Sequence, residues 1–518
     1  GRREIIGILV EVSQHSEVPA DKLKPALALL DTQSPLPPAL FKLCLWTAQY
    51  YQHSLGDTLS WALPVLLRQG EPAEARQERF WQIAAGAQLD DPRLARAPRQ
   101  REALQTLAQH PHGVPHRLLS QLQLNKDSLD LLLEKALVTC EARRHPLPAR
   151  HLNWLAQPEL PLNPEQQSAV SAIQSAGGHF NAFLLAGVTG SGKTEVYLQL
   201  IHQTLAAGKQ ALVLIPEINL GPQTLARFEQ RFNARIALLH SNVNDRERLD
   251  AWLAARDGEA DIIIGTRSAL FTPMLKPGLI IIDEEHDASY KQQEGLRYHA
   301  RDLALVRARQ ENIPIVLGSA TPSLESLHNA HAGRYALLKL TQRAGGAQPP
   351  RFLRLDIKSL PLDSGISGPL QQAIKQTLAA GQQVLVFLNR RGFAPTLLCH
   401  DCGWISQCPR CDARMTVHQR SGELRCHHCS YSERSPRNCP DCGKVDLRPL
   451  GAGTERAEER LEILFPDTPV LRIDRDSTTR KGAMDQLLTT IHHGEPCILV
   501  GTQMLAKGHH FPRVTLVA

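Results

Sequence analysis

The stretch GVTGSGKT, Gly187–Thr194, decides the fold class of this chain. It follows the apolar run FLLA (183–186) and leads into the helical pattern TEVYLQLIHQTL (194–205). Between a strand and a helix, G-x-x-x-x-G-K-[ST] is a P-loop, whose backbone N–H groups surround phosphates at the positive end of the helix. A chance glycine-rich turn would not require both flanking elements, so the stretch predicts a nucleotide site. The predicted nucleotide ligands are Gly187, Val188, Thr189, Gly190, Ser191, Gly192, Lys193 and Thr194.

The catalytic residues are predicted from this loop and from LIIIDEEH (279–286), an apolar strand that ends on carboxylates. Lys193 is expected to reach the β and γ phosphates, and the Thr194 hydroxyl to bind Mg²⁺. Asp283 would orient the same Mg²⁺, and Glu284 would be the base that activates the attacking water. An acidic strand end by itself often only caps a helix. Here it follows the P-loop after two strand-like segments, which favours the catalytic interpretation.

Short apolar runs alternate with helical segments along two parts of the chain. ALVLIP, RIALLH, DIIIGT and IPIVLGSA lie in 159–345, and QVLVFLN, VLRID, CILVGT and VTLVA lie in 346–518. Apolar runs of this kind indicate parallel strands covered by helices on both faces. We therefore predict two α/β lobes, joined by a linker at RAGGAQPP (343–350).

Eight of the eleven cysteines form four C-x-x-C pairs inside the second lobe. With no secretion signal, this spacing indicates zinc rather than disulfides. The 14 residues between Cys411 and Cys426 suit a two-knuckle ribbon, whereas the five between Cys402 and Cys408 leave little room for two knuckles to face one ion. A nested pairing in an insert at 399–448 follows, with Cys408, Cys411, Cys426 and Cys429 on one Zn²⁺ and Cys399, Cys402, Cys439 and Cys442 on the other.

Four thiolates leave a zinc ion no open position, so both ions are expected to be structural. Four complete pairs also leave no need for nearby histidines, although these are possible substitute ligands. The histidines are His400, His418, His427 and His428.

The first 158 residues carry weaker patterns. LFKLCLWTAQYYQHSLGDTLSWALPVLL (40–67) predicts two helices, after a β-type opening at EIIGILVEV (4–12). In 71–158, three short helical patterns followed by a strand predict a winged helix, with Asn125 or Asp127 capping the third helix. A helical spacer is the alternative interpretation.

Length and charge set broad limits. The 518 residues suggest three or four domains. The formal charge of +6 falls to about +2 once eight thiolates and two Zn²⁺ are counted, so nucleic-acid contact would need local basic patches. No run reaches the ~18–20 apolar residues of a membrane helix, and we expect no membrane partner. The ends GRREIIG and RVTLVA look interrupted, which favours an interior portion of a longer chain.

The order of these motifs, with LGSATPS (317–323) and GTQMLAKGHHFP (501–512) after them, resembles superfamily 2 helicases. LNPEQ (162–166) resembles a Q-motif, in which Gln166 would read adenine. IPEINLGPQ, GTRSALF, YKQQEGLRYHARD, FLNRRGFAP and the eight-cysteine insert are together similar to the PriA family of bacterial replication-restart helicases.

The resemblance implies two RecA-like lobes and an ATP- and Mg²⁺-dependent 3′-to-5′ DNA helicase. Such a protein would recognise forked and single-stranded DNA at stalled forks and start primosome assembly with PriB, DnaT and single-strand-binding protein. It also implies a remnant of a 3′-end-binding domain at 1–70, a winged helix at 71–158, lobe 1 at 159–345 and a truncated lobe 2 at 346–518. A monomer in the bacterial cytoplasm, associated with the nucleoid, is expected.

The DNA contacts predicted from the resemblance are Arg267, Tyr298, Arg390, Arg391 and Lys507. Leu296 and Gly221 stand where the family usually has Trp and Thr, so coupling to DNA and one phosphate contact are expected to differ. Two other functions remain open: another superfamily 2 translocase, and a fork-binding scaffold that uses ATP as a conformational switch. The family's last arginine-bearing motif would lie beyond Ala518.

Overall fold

The computed structural model describes the chain in two compact units, Gly1–Glu217 with Ala226–Ala347 and Ile218–Leu225 with Gln348–Ala518. The described residues are 5–31, 33–74, 77–111, 113–144, 153–217, 221–241, 243–346, 348, 350–357, 360–363, 365–388, 396–411, 413–418, 422–426, 429–445, 447–450, 454–473, 483–501 and 511–518. Within them, no helix combines the length and the apolar character needed to cross a membrane.

The N-terminal segment of the first unit forms the two predicted helices and a short third one. They are α1 (Pro38–Tyr50), α2 (Leu55–Ala62) and α3 (Val65–Arg68). Leu43 and Leu59 are buried in the same core as the sheet of the first lobe. The predicted strand at the opening is wrong for the described residues 5–31, which contain only a 3-10 turn at Ala20–Lys22 and leave side chains such as Leu9 exposed without a partner strand.

Residues 77–144 have a separate core around Trp81, Leu104 and Leu129. Their elements are β1 (Gln77–Ile83), α4 (Pro98–Ala108), β2 (Val114–Pro115), α5 (Lys126–Glu134) and β3 (Val138–Arg144). β1 lies between β2 and β3 in an antiparallel sheet. The middle predicted helix is a 3-10 turn at His116–Leu118, and β1 was not predicted. Asn125 caps α5 by accepting the Asp127 N–H, and the winged helix stays a prediction.

The first lobe is a seven-stranded parallel sheet in the order β10-β4-β9-β8-β5-β7-β6. Its strands are β4 (Ala182–Gly187), β5 (Gln210–Leu214), β6 (Ile236–Leu239), β7 (Ile262–Gly265), β8 (Pro277–Ile282), β9 (Ile315–Ser319) and β10 (Ala336–Leu340). Its helices are α6 (Pro164–Gln174), α7 (Lys193–Ala206), α8 (Pro222–Arg231), α9 (Asp245–Arg256), α10 (Ala300–Glu311) and α11 (Leu324–His331). The P-loop and the acidic motif both follow carboxyl ends of strands, where ligands of open α/β sheets bind.

The second unit holds the other lobe and the insert. The lobe is a parallel sheet in the order β19-β20-β13-β21, and the insert is an antiparallel sheet in the order β17-β16-β15-β14-β18. The strands are β11 (Leu362–Asp363), β12 (Ile366–Ser367), β13 (Gln383–Phe387), β14 (Thr396–Cys399), β15 (Thr416–His418), β16 (Glu423–Arg425), β17 (Ser432–Arg434), β18 (Leu447–Leu450), β19 (Val470–Ile473), β20 (Ile498–Gly501) and β21 (Val514–Val517). The helices are α12 (Gly368–Ala379), α13 (Thr454–Leu464) and α14 (Ala483–His492). The predicted fold class is confirmed.

Candidate functional site

The P-loop has the backbone that its glycines allow. Gly190 and Gly192 have φ values of +81° and +79°, a region that side chains other than glycine rarely adopt. α7 begins at Lys193, so the N–H groups of Lys193 and Thr194 have no preceding helical turn to bond to, whereas the Glu195 N–H donates to the Gly192 carbonyl at 3.0 Å. The Lys193 ammonium donates to the Gly187 carbonyl at 2.8 Å. These groups suit a bound phosphate chain.

Gln166 holds the P-loop to the start of α6. Its carbonyl accepts the Asn163 N–H at 2.9 Å, completing a capping box, and its Nε2 donates to the Ser191 carbonyl at 2.8 Å. A Cβ on Gly192 would lie 2.2 Å from this nitrogen. Both the oxygen and the nitrogen of the Gln166 side-chain amide therefore have hydrogen-bond partners within the protein. The contact of Gln166 with adenine stays a prediction.

We expect Gly192→Ala to weaken ATP binding more than tenfold. The left-handed conformation costs a non-glycine residue about 1–2 kcal/mol, and the added methyl group also collides with Gln166. Gly208→Ala is the matched control: Gly208, near the other end of α7, has a φ of +70° but open space around it. The control should lose similar stability and keep its ATP affinity in titration calorimetry. Unchanged affinity in Gly192→Ala would contradict the expected collision.

The acidic motif lies beside the P-loop helix. Asp283 follows β8, and the buried Tyr197 hydroxyl of α7 donates to its Oδ1 at 3.1 Å. Gly318 of β9 leaves room for this hydroxyl, since a Cβ there would lie 1.5 Å from it. The hydroxyl therefore joins the P-loop helix, the acidic motif and the strand before the LGSATPS turn. Tyr197 was not among the predicted site residues, because its only signal in the sequence is a polar group in an otherwise apolar helical pattern.

The electrostatics of Asp283 favour a cation. Burial, with the nearby Glu284 carboxylate second, raises the pKa of Asp283 to about 6, although Tyr197 and Lys193 act in the opposite direction. No ion pair to Asp283 occurs in the described part of the chain. A half-buried carboxylate without an ion-pair partner fits Mg²⁺, which binds proteins through carboxylate oxygens. Asp283, with the Thr194 hydroxyl, is the set of residues that would hold the ion.

Glu284 has an unusual backbone. Its φ is +47°, and its carboxylate lies 3.5 Å from His286 Nδ1. Left-handed residues other than glycine cost about 1–3 kcal/mol and cluster at functional sites. The left-handed backbone means that Glu284 does not continue the extended conformation of β8. Glu284 follows Asp283 directly, and this is the position at which a catalytic base is expected.

The next carboxylate, Glu285, is fully buried and ties the acidic motif to the LGSATPS turn. It accepts the Ser323 N–H at 2.7 Å, the Ser326 hydroxyl at 2.8 Å and the Arg301 guanidinium at 3.1 Å. His286 Nδ1 lies 2.8 Å from the Ser319 hydroxyl. These contacts join the acidic motif directly to the hydroxyl-rich turn.

We expect Glu285→Ala to reduce the free energy of unfolding of this lobe by about 3–5 kcal/mol, because the buried Arg301 guanidinium loses its fully buried carboxylate partner and keeps the half-exposed Asp302 at 2.8 Å. Glu325→Ala is the control. Its carboxylate lies 4.0 Å from the same guanidinium but is 71% exposed, and exposed pairs contribute only about 0–1 kcal/mol. Denaturant unfolding compares the two. Equal decreases in the free energy of unfolding for the two variants would show that burial does not determine how much the Arg301–Glu285 pair contributes to stability.

Two of the predicted DNA contacts, Arg267 and Tyr298, lie within the described residues and have partners inside the protein. The Tyr298 side chain is 1% exposed, packs edge-on against Phe271 and bonds to the Arg267 carbonyl at 3.3 Å. The ring therefore belongs to the core, and DNA contact by Tyr298 stays a prediction. The Arg267 guanidinium donates to the Ser289 and Lys291 carbonyls at 2.7 and 3.1 Å, so it supports the following loop.

Three other predicted DNA contacts, Arg390, Arg391 and Lys507, lie outside the described residues. Leu296, the departure from the family tryptophan, is fully buried in the core of the first unit. Among the described residues, no heavy atom other than those of its chain neighbours lies within 4 Å of where a Gly221 Cβ would stand, and the consequence of this glycine for DNA binding stays a prediction.

The eight cysteines meet in the two predicted groups. The shortest sulfur distances are 3.4 Å (Cys408–Cys429), 3.5 Å (Cys411–Cys426), and 3.6 Å for both Cys399–Cys442 and Cys402–Cys439. A tetrahedron with Zn–S bonds of ~2.3 Å has sulfur–sulfur edges of about 3.8 Å, whereas a disulfide needs ~2.05 Å. The donor set fits two Cys₄ zinc sites, which confirms the nested pairing.

The four pairs share one turn geometry. The N–H of the first cysteine binds the carbonyl five residues later, at Trp404, Ala413, Tyr431 and Lys444. Gly403, Ser430 and Gly443 adopt positive φ values in these turns. At the base of the insert, β14 pairs with β18 and brings Cys399 opposite Leu447. The insert therefore leaves and re-enters the lobe on adjacent strands.

Histidine does not join either described cluster. His400 Nε2 lies 2.7 Å from the Leu360 carbonyl, which satisfies it elsewhere. The side chain of His418, and His427 and His428 as a whole, lie outside what the structure describes.

Comparison with known families agrees with this geometry. A family model described as DEAD/DEAH box helicase matches residues 163–330. One described as 3′DNA-binding domain (3′BD) matches 1–64, and one described as PriA DNA helicase Cys-rich region (CRR) domain matches 408–434. Together with the P-loop and the acidic motif, these matches identify an ATP-dependent DNA helicase with a DNA-binding domain and zinc-binding cysteines.

Individual relatives cover nearly the whole chain. The replication restart protein PriA of Haemophilus influenzae is 47% identical over 525 residues, covering 100% of this chain and 71% of that protein. The Bacillus subtilis protein of that name is 41% identical over 433 residues, covering 81% and 53%. The Chlamydia pneumoniae protein is 37% identical over 528 residues, covering 99% and 70%. The alignments thus span from about half to about seven tenths of these relatives, and the chain belongs to the PriA family of replication restart proteins.

Proposed function

We propose that this protein moves 3′-to-5′ along DNA at stalled replication forks and starts primosome assembly there. The observation that carries the motor assignment is the joined site of the first lobe. Asp283 is half-buried, bonded to the P-loop helix through Tyr197, and followed by Glu284 in a left-handed conformation. Such a site suits phosphoryl transfer to water, which depends on positioning and on charge stabilisation.

In the proposed reaction, the P-loop N–H groups hold the phosphates, and the Lys193 ammonium exchanges the Gly187 carbonyl for a phosphate oxygen. The Thr194 hydroxyl and Asp283 would hold Mg²⁺, which neutralises charge on the phosphates when bound. Glu284 accepts a proton from the attacking water and passes it on through the adjacent His286. Gln166 would sense adenine while it supports Ser191.

Movement follows from the contacts of the acidic motif. Loss of the γ phosphate changes the charge next to Asp283 and Glu284, and Glu285 and His286 carry that change to the LGSATPS turn. Arg267, Arg390, Arg391 and Lys507 are the cations proposed to hold the DNA backbone. Arg267 would do so only after its bonds to the Ser289 and Lys291 carbonyls rearrange.

The zinc insert and the N-terminal domain suit fork recognition and partner binding. We propose PriB, DnaT and single-strand-binding protein as partners of a monomer at the bacterial nucleoid. The support is membership of the family and the closed Cys₄ sites, which make the insert a rigid structural module rather than a catalytic one.

The direction of movement is tested with the full-length protein on a single strand that carries a duplex at each end. A 3′-to-5′ motor should displace the oligonucleotide annealed at the 5′ end of the central strand and leave the other in place. Displacement at the opposite end would overturn the proposed polarity. A fork whose leading strand ends in 3′-phosphate tests recognition of the end, and binding equal to that of the 3′-hydroxyl fork would contradict it.

A further inference from the structure

The loop Lys291–His299, here called the coupling loop, is a closed hairpin on the first lobe. Lys291 and His299 form an antiparallel bridge at its base, and the Gln292 N–H donates to the Tyr298 carbonyl at 2.9 Å. Leu296 and Tyr298 point into the core. The loop therefore has a defined conformation that particular contacts can favour or release.

One end of the coupling loop connects to the ATP site. Tyr290, immediately before it, is fully buried, and its hydroxyl lies 2.7 Å from the Asp283 carbonyl and 2.9 Å from the Leu214 carbonyl. Glu284, with its left-handed backbone, comes directly after Asp283. A displacement of the loop thus reaches the proposed base through a single side chain.

The other side of the loop touches the N-terminal helices. The Tyr51 hydroxyl, just after α1, accepts the His299 N–H at 3.1 Å, and the Lys291 ammonium lies 5.5 Å from the Tyr51 ring centroid. Gly295, at the loop tip with a φ of +63°, lies under the Trp61 ring of α2, where a Cβ would approach to 2.9 Å. Both aromatic residues fall within the segment that matches the 3′DNA-binding domain.

These contacts are not the ones that anchor the helices. Leu40, Leu43 and Leu59 do that in the shared core, where they are almost completely buried. Trp61 is 39% exposed and Tyr51 is only half-buried, so both contribute less to burial and reach the loop from its edge. Their position suits transmission between the N-terminal segment and the loop more than it suits folding.

We propose that Tyr51 and Trp61 are positioning residues through which a DNA 3′ end at the N-terminal domain adjusts the coupling loop and, through Tyr290, the ATP site. The inference rests on the proposed function. It requires the bound DNA end to favour one arrangement of the loop over another, because a ligand shifts a conformational equilibrium only through differential affinity.

The test compares Tyr51→Phe and Trp61→Ala with Tyr50→Phe in the full-length protein. Tyr51→Phe removes only the hydroxyl that accepts the His299 N–H. Tyr50 is the neighbouring tyrosine, which stacks on Trp46 and packs edge-on against Tyr51, and phenylalanine keeps both ring contacts. ATP turnover is measured without DNA and with increasing amounts of a 3′-ended fork. We expect the stimulation by DNA to fall about fivefold or more in the two loop-contact variants, the lower end of measured couplings, and to persist in Tyr50→Phe.

Amide hydrogen exchange of residues 290–299 gives a second readout that does not depend on helicase activity. Adding single-stranded DNA with a free 3′ end should change exchange of the loop in the unmodified protein and in Tyr50→Phe, but not in Tyr51→Phe or Trp61→Ala. Equal responses in all four proteins would overturn the inference. Absence of DNA-stimulated turnover together with a normal exchange response would reject the proposed function and the step through Tyr290, and would support only the contact between the N-terminal helices and the loop.

Discussion

Substitution of Cys408 by serine is expected to release one zinc ion and to leave the other bound. Cys408 belongs to the inner cluster, whose ligands come before β15 and after β16, whereas the outer cluster closes the base of the insert beside β14 and β18. A serine hydroxyl is a poor replacement for a thiolate. Structural zinc binding has an apparent free energy of about 10–16 kcal/mol, so the loss should unfold the inner ribbon.

The physical reason is the composition of the ribbon. Its fully buried core consists of Leu397, Met415 and Leu424 with two of the zinc-binding cysteines, and the other apolar side chains packed against it are only partly buried. Without the metal these groups cannot offset the entropy of ordering the strands. The outer cluster has separate ligands and a separate strand pair, Cys399 opposite Leu447, so it should persist.

Zinc content by atomic absorption, with mass spectrometry under native conditions, measures the result. We expect one ion per chain in Cys408→Ser, one in Cys399→Ser and two in Cys140→Ser, whose sulfur lies outside both clusters. Loss of both ions in Cys408→Ser would show one cooperative site instead of two nested ones.

Glu284→Gly is expected to make the first lobe more stable and the enzyme far slower. Removal of the side chain at a φ of +47° relieves about 1–2 kcal/mol of backbone strain. The same change removes the proposed base, and general bases contribute about 10²–10⁴-fold to rates. A residue that lowers the stability of the fold while it raises turnover is expected where catalysis requires that residue.

Thermal unfolding and steady-state ATP turnover are measured together for Glu284→Gly and Glu284→Gln. Glutamine should slow turnover as strongly but keep the strain, so only glycine should raise the unfolding temperature. Ala136→Gly is the control, because Ala136 has a φ of +55° in the separate domain of residues 77–144. It should not change turnover. Full activity in Glu284→Gly would remove Glu284 from the role of base.

The sequence alone predicted those features that depend on residues close together along the chain. The P-loop glycines, the strand-ending carboxylates and the cysteine spacings each depend on residues close along the chain, and the structure has them as predicted. The grouping of the cysteines was predicted from the number of residues that separate one C-x-x-C pair from the next. In local patterns of this kind, the spacing of the residues largely determines their arrangement in the structure.

Tertiary context decided the rest. Tyr197 and Asp283 are 86 residues apart, and nothing near either one reveals the hydrogen bond that joins them. Tyr298 reads as an exposed aromatic residue in a polar loop, yet the hairpin turns it into the core. The opening strand failed because a strand needs a partner, which the pattern EIIGILVEV cannot supply by itself. Periodicity in one segment does not specify which other segment will cover it.

The central claim is that ATP hydrolysis at this site drives strand separation. The direct test is displacement of the annealed strand from a DNA fork by the full-length protein with ATP, with Lys193→Ala as the matched variant. We predict that the unmodified protein separates the strands, and that Lys193→Ala binds the fork with similar affinity but leaves them annealed. ATP turnover by the unmodified protein without separation at any protein concentration would contradict the claim and favour a scaffold that uses ATP only as a switch.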